Sequence, residues 1–420
     1  MEIKKALIVG LSLTLTLVIC LYLAFSENRQ YIRHVSSIMP NFNIVRKAFR
    51  IESKPLKNGG EGSLLMKGAT GNLSHSQSET PCYRQVQVWD GSKLAQTPRK
   101  SQCPGLKCGI SFVKDRSYVT MMKSDAVVFF HLSRWSWAEV LNRRPLNQAW
   151  VFYSLESPPL TGRNALPPRI LDHIFNYTMS YRPSSTIPSP YGIYDDTLPQ
   201  IPQDQNKNWA EGKTRLVAWA SSKCFGHGGI QSWRRRNFVK TLSKHVSVDM
   251  YGQCGDQVCP RYSQGCWTQI KAHKFYLALE NNECREYITE KFWVNALRND
   301  IVPIVYGPPR EDYERVAPPN SFIHLQDFRN MSELVDYINL LDANDTLYNQ
   351  YFEWKKRGSV KFVGEYKILQ AQFMCKVVSK LLDDENTLNG NYHAPRDANP
   401  SIHDYWSTSC PKPKGFPHDF

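Results

Sequence analysis

The sequence predicts an α/β fold, and three observations carry that expectation. From Lys274 to Pro309 an apolar run, a charged turn, an amphipathic stretch and a second apolar run follow one another as a single unit. Further strand-like runs flank it, at Ala126 to His131, Trp150 to Leu155, Leu216 to Ala220 and Ser321 to Leu325. At 420 residues the chain is long enough for two domains, each with its own core.

Within the central unit, Phe275 to Leu279 and Ile301 to Val305 are continuously apolar, as expected of strands buried on both faces. Between them Phe292, Trp293, Ala296 and Leu297 recur at helical spacing, with Thr289 as the predicted N-cap, so the unit reads βαβ. In an open parallel sheet of such units the ligand crevice lies at the carboxyl ends of the strands, where a helix N-terminus offers unpaired N–H groups. Glu280, Asn281, Tyr287, Glu290 and Lys291 all fall at that edge. Lys291 suits a diphosphate, Tyr287 can stack on or hydrogen-bond a base or sugar, and Asn281 and Glu290 can hold sugar hydroxyls. The same residues also fit ordinary loop and capping positions, and no phosphate-loop or dinucleotide glycine pattern accompanies them.

The chain carries 52 Lys and Arg against 38 Asp and Glu, a net charge of +14. No helix-turn-helix, zinc-finger or RNA-binding signature accompanies the charge, so an anionic small substrate or anionic surroundings explain it and no nucleic acid is expected.

Ala6 to Phe25 is an uncharged run of membrane-spanning length preceded by Lys4 and Lys5. It reads as an uncleaved signal anchor, with residues 1–5 as a cytoplasmic tail and the bulk of the chain in the secretory lumen. Residues 26–81 read as a stem, since Glu52 to Gln77 is rich in Gly, Ser, Asn and Lys without apolar periodicity. Glycosylation sequons stand at Asn72, Asn176, Asn330 and Asn344. Ten cysteines remain outside the apolar run. In an oxidising lumen they read as disulfides, with the C-x4-C pairs Cys103/Cys108 and Cys254/Cys259 as local staples. Zinc is the rival reading, but the C-x2-C spacing of structural zinc sites is absent.

The first half of the folded region, residues 82–200, contains two of the strand-like runs, joined by a polar segment with Arg134, Arg143 and Arg144. The second run ends in Glu156-Ser157-Pro158-Pro159, a carboxylate before a rigid turn that suits a crevice between domains. Pro183 to Gln205 is dense in Pro, Ser and Asp and reads as a linker. A second domain over 201–365 opens with Leu216 to Ala220, then Ser221, Ser222 and Lys223, then a predicted helix from Ser232 to His245 bearing Arg234, Arg235 and Arg236. Residues 366–420 hold an amphipathic helix, Tyr366 to Leu382, expected to pack across the domains, and a tail tethered by Cys410.

The stretch ENNECREYITEKFWVNALRNDIVPIVYG, from Glu280 to Gly307, resembles the donor-binding signature of the α1,3-fucosyltransferases, glycosyltransferase family 10. It departs at Glu286, where the family usually has Asp, and at Asn282, where Ser is common. Gln148, Trp150, Glu156-Ser157-Pro158 and Pro190-Tyr191-Gly192 are similar to further family patterns. The resemblance implies a GT-B fold, two Rossmann-like domains facing each other across a cleft, with the acceptor on the N-terminal side and GDP-fucose on the C-terminal side. It implies inverting transfer of L-fucose from GDP-β-L-fucose to a GlcNAc residue, in the Golgi, by a single-pass type II membrane protein.

By the same resemblance Glu156 is the general base, Glu290 stabilises the positive charge of the transition state, and Ser222, Arg235, Asn281, Tyr287, Glu290 and Lys291 bind the donor. The choice of Arg235 among three adjacent arginines rests on register counted back from Tyr251-Gly252. No Asp-x-Asp stands in a suitable place, so no resident cofactor or metal is expected, with a divalent cation (Mn2+ or Mg2+) left open as a stimulant. His131-Leu132-Ser133-Arg134 departs from the His-His pattern of the Lewis-type members, and Lys223 and the insertion Cys224 to Ile230 depart as well. Both an N-glycan core GlcNAc and an N-acetyllactosamine antenna stay open as acceptors. Two rivals remain, a transferase using another sugar nucleotide and a catalytically silent glycan-binding membrane protein. The second is expected to have lost Glu156, Glu290 or Lys291, and all three are present.

Overall fold

The computed structural model describes residues 82–89, 98–130, 137–161, 172–197, 207–222, 235–260, 263–362, 371–388 and 401–410. All of them belong to one compact unit, Thr80–Phe420. The predicted tail, anchor and stem all lie outside the described residues. So do Asn72, the His131 to Arg134 run, Lys223 and the insertion that follows it. Among the described residues no helix is long and apolar enough to cross a membrane.

The architecture is α/β, with two largely parallel sheets. The first contains β1 (Tyr83–Trp89), β2 (Arg99–Ser101), β3 (Gly109–Asp115), β4 (Ala126–Phe130), β5 (Ala149–Ser154), β6 (Tyr177–Ser180) and β7 (Ile187–Pro188), in the order β2-β3-β1-β4-β5-β6-β7. Only β2 runs antiparallel to its neighbour. Trp150, Phe152, Phe129 and Phe175 pack ring against ring in its core. The long helix Ala371–Leu388 lays Met374, Val377, Val378 and Leu381 into the same core.

The second sheet is parallel throughout. It holds β9 (Arg215–Ala220), β10 (Val248–Tyr251), β11 (His273–Leu279), β12 (Val302–Tyr306) and β13 (Ile323–His324), in the order β10-β9-β11-β12-β13. Strand side chains alternate between faces, and here both faces find apolar partners. Phe275, Leu277 and Leu279 point into one core with Leu334 and Ile338 of the helix Met331–Ala343. Tyr276 and Ala278 point into the other, which is continuous with the core of the first sheet. That double burial is why the sequence of β11 lacks polar alternation.

The stretch Pro183 to Gln205 is more than a linker. It contains β7 of the first sheet and β8 (Gly192–Asp195), which pairs antiparallel with β14 (Ser359–Phe362); residues 198–206 lie outside the described set. Gly192 sits directly under an indole, so that a Cβ built there would stand 2.3 Å from Trp293.

Two expectations are corrected. The segment after Thr289 opens at Glu290 and is wound as a π-helix over Lys291–Ala296, not as an ordinary helix, before a 3-10 turn, Leu297–Asn299. The Thr289 hydroxyl accepts the Lys291 N–H at 3.4 Å, as the expected cap does, while donating its own hydrogen to Glu280 at 2.8 Å. The C-x4-C staples are also replaced. Cys103 joins Cys375, Cys108 joins Cys82 and Cys259 joins Cys266; Cys284 joins Cys410, and Cys254 is disulfide-bonded as well. Four residues between two cysteines do not require a local bridge when a partner from a distant element packs closer.

Candidate active site at the carboxyl end of β11

β11 runs straight into Glu280, which is fully buried. A carboxylate there needs compensation, because burying an unpaired charge is very costly. Glu280 accepts hydrogen bonds from the Thr289 N–H and hydroxyl, both at 2.8 Å, and from Lys291 Nζ at 2.9 Å. Gly307, just past β12, has φ +147° and packs on this carboxylate's stem, where a Cβ would stand 2.7 Å from Glu280 Cβ.

The charges set one another. Burial pushes the Glu280 carboxyl up, and the Lys291 ammonium opposes it. Burial alone would lower Lys291, but Glu280 and Glu290 more than reverse that and hold it above the ordinary lysine range. Burial also acts to raise Glu290, yet Lys291 and the Thr289 hydroxyl hold it below the usual carboxylate range. The ammonium therefore stays charged between two carboxylates, at 2.9 Å from Glu280 and 3.4 Å from Glu290.

Arg235 enters from the helix Arg235–Leu242, the described part of the predicted Ser232 to His245 helix. It is buried, and its Nη1 donates to the Leu279 carbonyl at 3.0 Å. Burial lowers its pKa while Glu280, Tyr287, Tyr276 and Glu290 act to raise it, and its charge reaches Lys291. Arg234 lies outside the described residues, and Arg236 is only partly buried. Two cations thus converge on one strand end.

The first sheet contributes Glu156, just past β5. Its Oε2 accepts a hydrogen bond from the Tyr287 hydroxyl at 3.1 Å. Tyr287 is 1% exposed, with its ring 4.9 Å from that of Tyr181. It is a buried partner of the carboxylate and not an open stacking surface. Next to it, Asn282 Nδ2 donates to Ser157 Oγ at 2.7 Å. Asn281 is partly buried at the same turn, its Oδ1 3.3 Å from Asn282 Nδ2. Ser222 is exposed past the end of β9, beside the turn where Gly252, at φ +81°, packs a would-be Cβ 2.8 Å from the Ser221 carbonyl.

The structure therefore gathers Glu156, Tyr287, Glu290, Lys291 and Arg235 around Glu280, with Ser222 on the neighbouring strand end. Glu280 as the hub, Thr289, Asn282 and Ser157 are additions. An acid placed immediately after the apolar run Phe275 to Leu279, with a lysine at the start of the following helical segment, was the available signal.

Gln148 and Trp150 serve the fold instead. Gln148 Nε2 donates to the Ser124 carbonyl at 2.8 Å, and its Oε1 accepts from the Trp150 indole at 2.8 Å. Among the sequons, Asn176 Oδ1 accepts from the Trp150 N–H and Arg144, while Asn330 and Asn344 cap helices through Glu333 N–H and Leu347 N–H. Among the described residues no group of three or more His, Cys, Asp or Glu side chains gathers to hold a metal ion.

Residues 83–192 match the family described as "Fucosyltransferase, N-terminal", and residues 210–394 match "Glycosyltransferase family 10 (fucosyltransferase) C-term". The chain belongs to glycosyltransferase family 10. Among its family 10 relatives, glycoprotein 3-alpha-L-fucosyltransferase A of Drosophila melanogaster is 34% identical over 331 residues, covering 77% of this chain and 59% of that protein. Alpha-(1,3)-fucosyltransferase 7 of Bos taurus is 34% identical over 293 residues, covering 67% of this chain and 78% of that one. A solved α1,3-fucosyltransferase with GDP-fucose aligns at 16% identity and a TM-score of 0.43, covering 73% of this chain and 94% of that one. The chain thus spans about three-fifths of its Drosophila relative.

Proposed function

We propose that this family 10 chain is an inverting α1,3-fucosyltransferase that moves L-fucose from GDP-β-L-fucose to a GlcNAc residue of a glycoprotein or glycolipid glycan. The observation that carries the reading is the convergence of Arg235 and Lys291 at the end of β11, with Glu290 beside Lys291 and Glu156 reaching the same loop from the other sheet.

Inversion needs one displacement and one base. Glu156 accepts the proton of the acceptor hydroxyl as its oxygen bonds to the anomeric carbon, a role that requires hydrogen-bond reach and modest basicity. The bond from that carbon to the diphosphate oxygen breaks, and GDP leaves with the electron pair. Glu290, ionised, faces the positive charge that develops on the sugar. Arg235 and Lys291 face the negative charge that develops on the leaving group. Lys291 is closely bonded to Glu280 and Thr289, at 2.9 and 2.8 Å, whereas its 3.4 Å contact with Glu290 is long enough for a diphosphate oxygen to replace. Ser222 and Asn281 complete the donor contacts. The two sheets form a GT-B pair, with the donor on the second and the acceptor on the first. A lumenal Golgi position behind a type II anchor over residues 6–25 accords with the disulfide-rich fold.

The test uses the chain from about Glu52 onward, secreted, with GDP-fucose and two acceptors, a terminal N-acetyllactosamine glycan and a trimmed N-glycan retaining its chitobiose core. Mass spectrometry is expected to show an added deoxyhexose on one of them that is lost in Glu156→Gln. No transfer to either, with GDP-fucose still bound, overturns the choice of these acceptors in favour of a different acceptor class or of the binding protein.

A further inference from the structure

We propose that Asn344 carries an N-linked glycan whose first sugar covers Leu340. This rests on the reading that the folded part of the chain lies in the secretory lumen. Asn344-Asp345-Thr346 is a complete acceptor tripeptide, and all three residues are exposed. They stand where the helix Met331–Ala343 ends and a short helix, Asp345–Asn349, begins.

Asn344 can serve the fold and the sugar at once, because each uses a different atom of its amide. The Oδ1 accepts the Leu347 N–H at 3.1 Å and so caps the short helix. Glycosylation uses Nδ2. That nitrogen bonds to the anomeric carbon of the first GlcNAc of an oligosaccharide carried on a polyprenyl diphosphate. The bond from the carbon to the diphosphate oxygen breaks, the diphosphate leaves with the electron pair, and one amide hydrogen is lost as a proton. Among the described residues Nδ2 has no hydrogen-bond partner, so the sugar displaces no bond and Oδ1 remains an acceptor. The middle residue is turned back to the protein. Asp345 Oδ2 accepts from Asn208 Nδ2 at 2.9 Å, and its Oδ1 lies 3.4 Å from Lys274 Nζ. The cap and this pair together fix the tripeptide on the surface.

Leu340 gives the glycan something to cover. The helix buries Leu334, Ile338 and Leu341, and it leaves Asp336 and Leu340 outward at the four-residue spacing that Asn344 continues. Leu340 is 49% exposed on an outer face that is otherwise polar or small. A lone exposed leucine is ordinary by itself. This one lies a single turn from the amide, roughly 5–6 Å between Cβ atoms at that spacing. The apolar ring face and acetamide methyl of a first GlcNAc span that distance.

Thr346→Ala removes the acceptor tripeptide and leaves the Asn344 cap in place, whereas Thr346→Ser keeps both. Trypsin releases residues 330–355 as one peptide that also contains Asn330, so fragmentation mass spectrometry is used to locate the sugar. In the full chain made in eukaryotic cells, sugar is expected on Asn344 in the parent and in Thr346→Ser, and none in Thr346→Ala. The thermal midpoint of Thr346→Ala is expected to fall by about 1–3 °C as Leu340 loses its cover. Leu340→Gln is expected to lower the midpoint in the parent and to leave it unchanged in the Thr346→Ala background.

An unmodified Asn344 in both the full chain and the secreted portion overturns the site. Sugar on the secreted portion alone overturns the lumenal reading, and the native site with it. Sugar on Asn344 with an equal response to Leu340→Gln in both backgrounds overturns the covering of Leu340. A chain that carries the sugar but transfers no fucose supports the site and refutes only the catalytic reading.

Discussion

Arg182 Nε lies 3.0 Å from Glu286 Oε2, and the glutamate that receives it sits in the left-handed backbone region at φ 63°. Arg182 follows the end of β6, whereas Glu286 belongs to the loop after β11, so the pair crosses between the two sheets. Arg315 Nη1 holds the other carboxylate oxygen at 2.9 Å, and Arg285 and Arg315 both pair with the buried Asp312. The network keeps a strained residue in place, because non-glycine side chains disfavour this conformation.

Glu286→Ala should therefore cost about 2–3 kcal/mol of stability, since it leaves two guanidinium groups short of an acceptor. Glu286→Asp should change it by less than about 1 kcal/mol, because the shorter acid tolerates the left-handed region better but reaches less far. Urea unfolding of the two variants measures both. Equal losses would show that the backbone, and not the ion pairs, dominates.

Glu280→Gln tests the buried hub. The amide keeps the shape but removes the charge that balances Lys291, and breaking a buried pair costs about 3–5 kcal/mol. A fall in thermal midpoint together with weaker GDP-fucose binding is expected, as the ammonium turns toward Glu290. Unchanged stability would mean that water, and not Glu280, balances the lysine.

Donor affinity should be flat with pH across the neutral range. Glu290 is held below its ordinary carboxylate pKa, so it stays ionised until the pH falls through that depressed value. Lys291 is held above its ordinary range and stays protonated until the pH rises well past it. Neither charge changes between about pH 5.5 and about pH 8.5. Calorimetric Kd values for GDP-fucose should agree within about twofold across that window, and a break inside it would assign donor binding to another titrating group.

Gly192→Ala should destabilise by about 1–3 kcal/mol, the usual cost of overpacking. Its Cβ would meet three indole atoms of Trp293 at 2.3 to 2.6 Å. The clash is with the indole alone, so pairing Gly192→Ala with Trp293→Phe should recover part of the loss. Equal stability of the single and double variants would indicate a backbone effect at β8.

How much of this could be read from the sequence follows from where each signal resides. β11 and β12 were legible because both faces are buried, which writes an unbroken apolar run. β1 was not, since Gln85 and Gln87 interrupt it; the Gln87 side chain is fully buried against Asp115 at 2.6 Å, a polar pair across neighbouring strands that no local pattern reveals. The position of Glu156 after a strand was legible, but its partner Tyr287 stands 131 residues away. The disulfides escaped for the same reason, because pairing depends on which elements meet. The wide winding of Lys291–Ala296 left no trace in spacing that also suits an ordinary helix.

The bond between Cys103 and Cys375 spans 272 residues, whereas Cys82 and Cys108, which bracket Cys103, are separated by only 26. A ribosome adding about 5–20 residues per second leaves Cys103 waiting for tens of seconds, on the order of magnitude set by elongation. Throughout that interval its thiol lies within the loop that the Cys82–Cys108 bridge closes, and a thiolate there can attack that bridge by exchange. The arrival of the helix Ala371–Leu388 ends the exposure by supplying both the partner sulfur and the apolar cover for the sheet. A nascent chain interrupted before Cys375 would keep a reactive thiol and an uncovered apolar face, two features that mark a chain as unfinished.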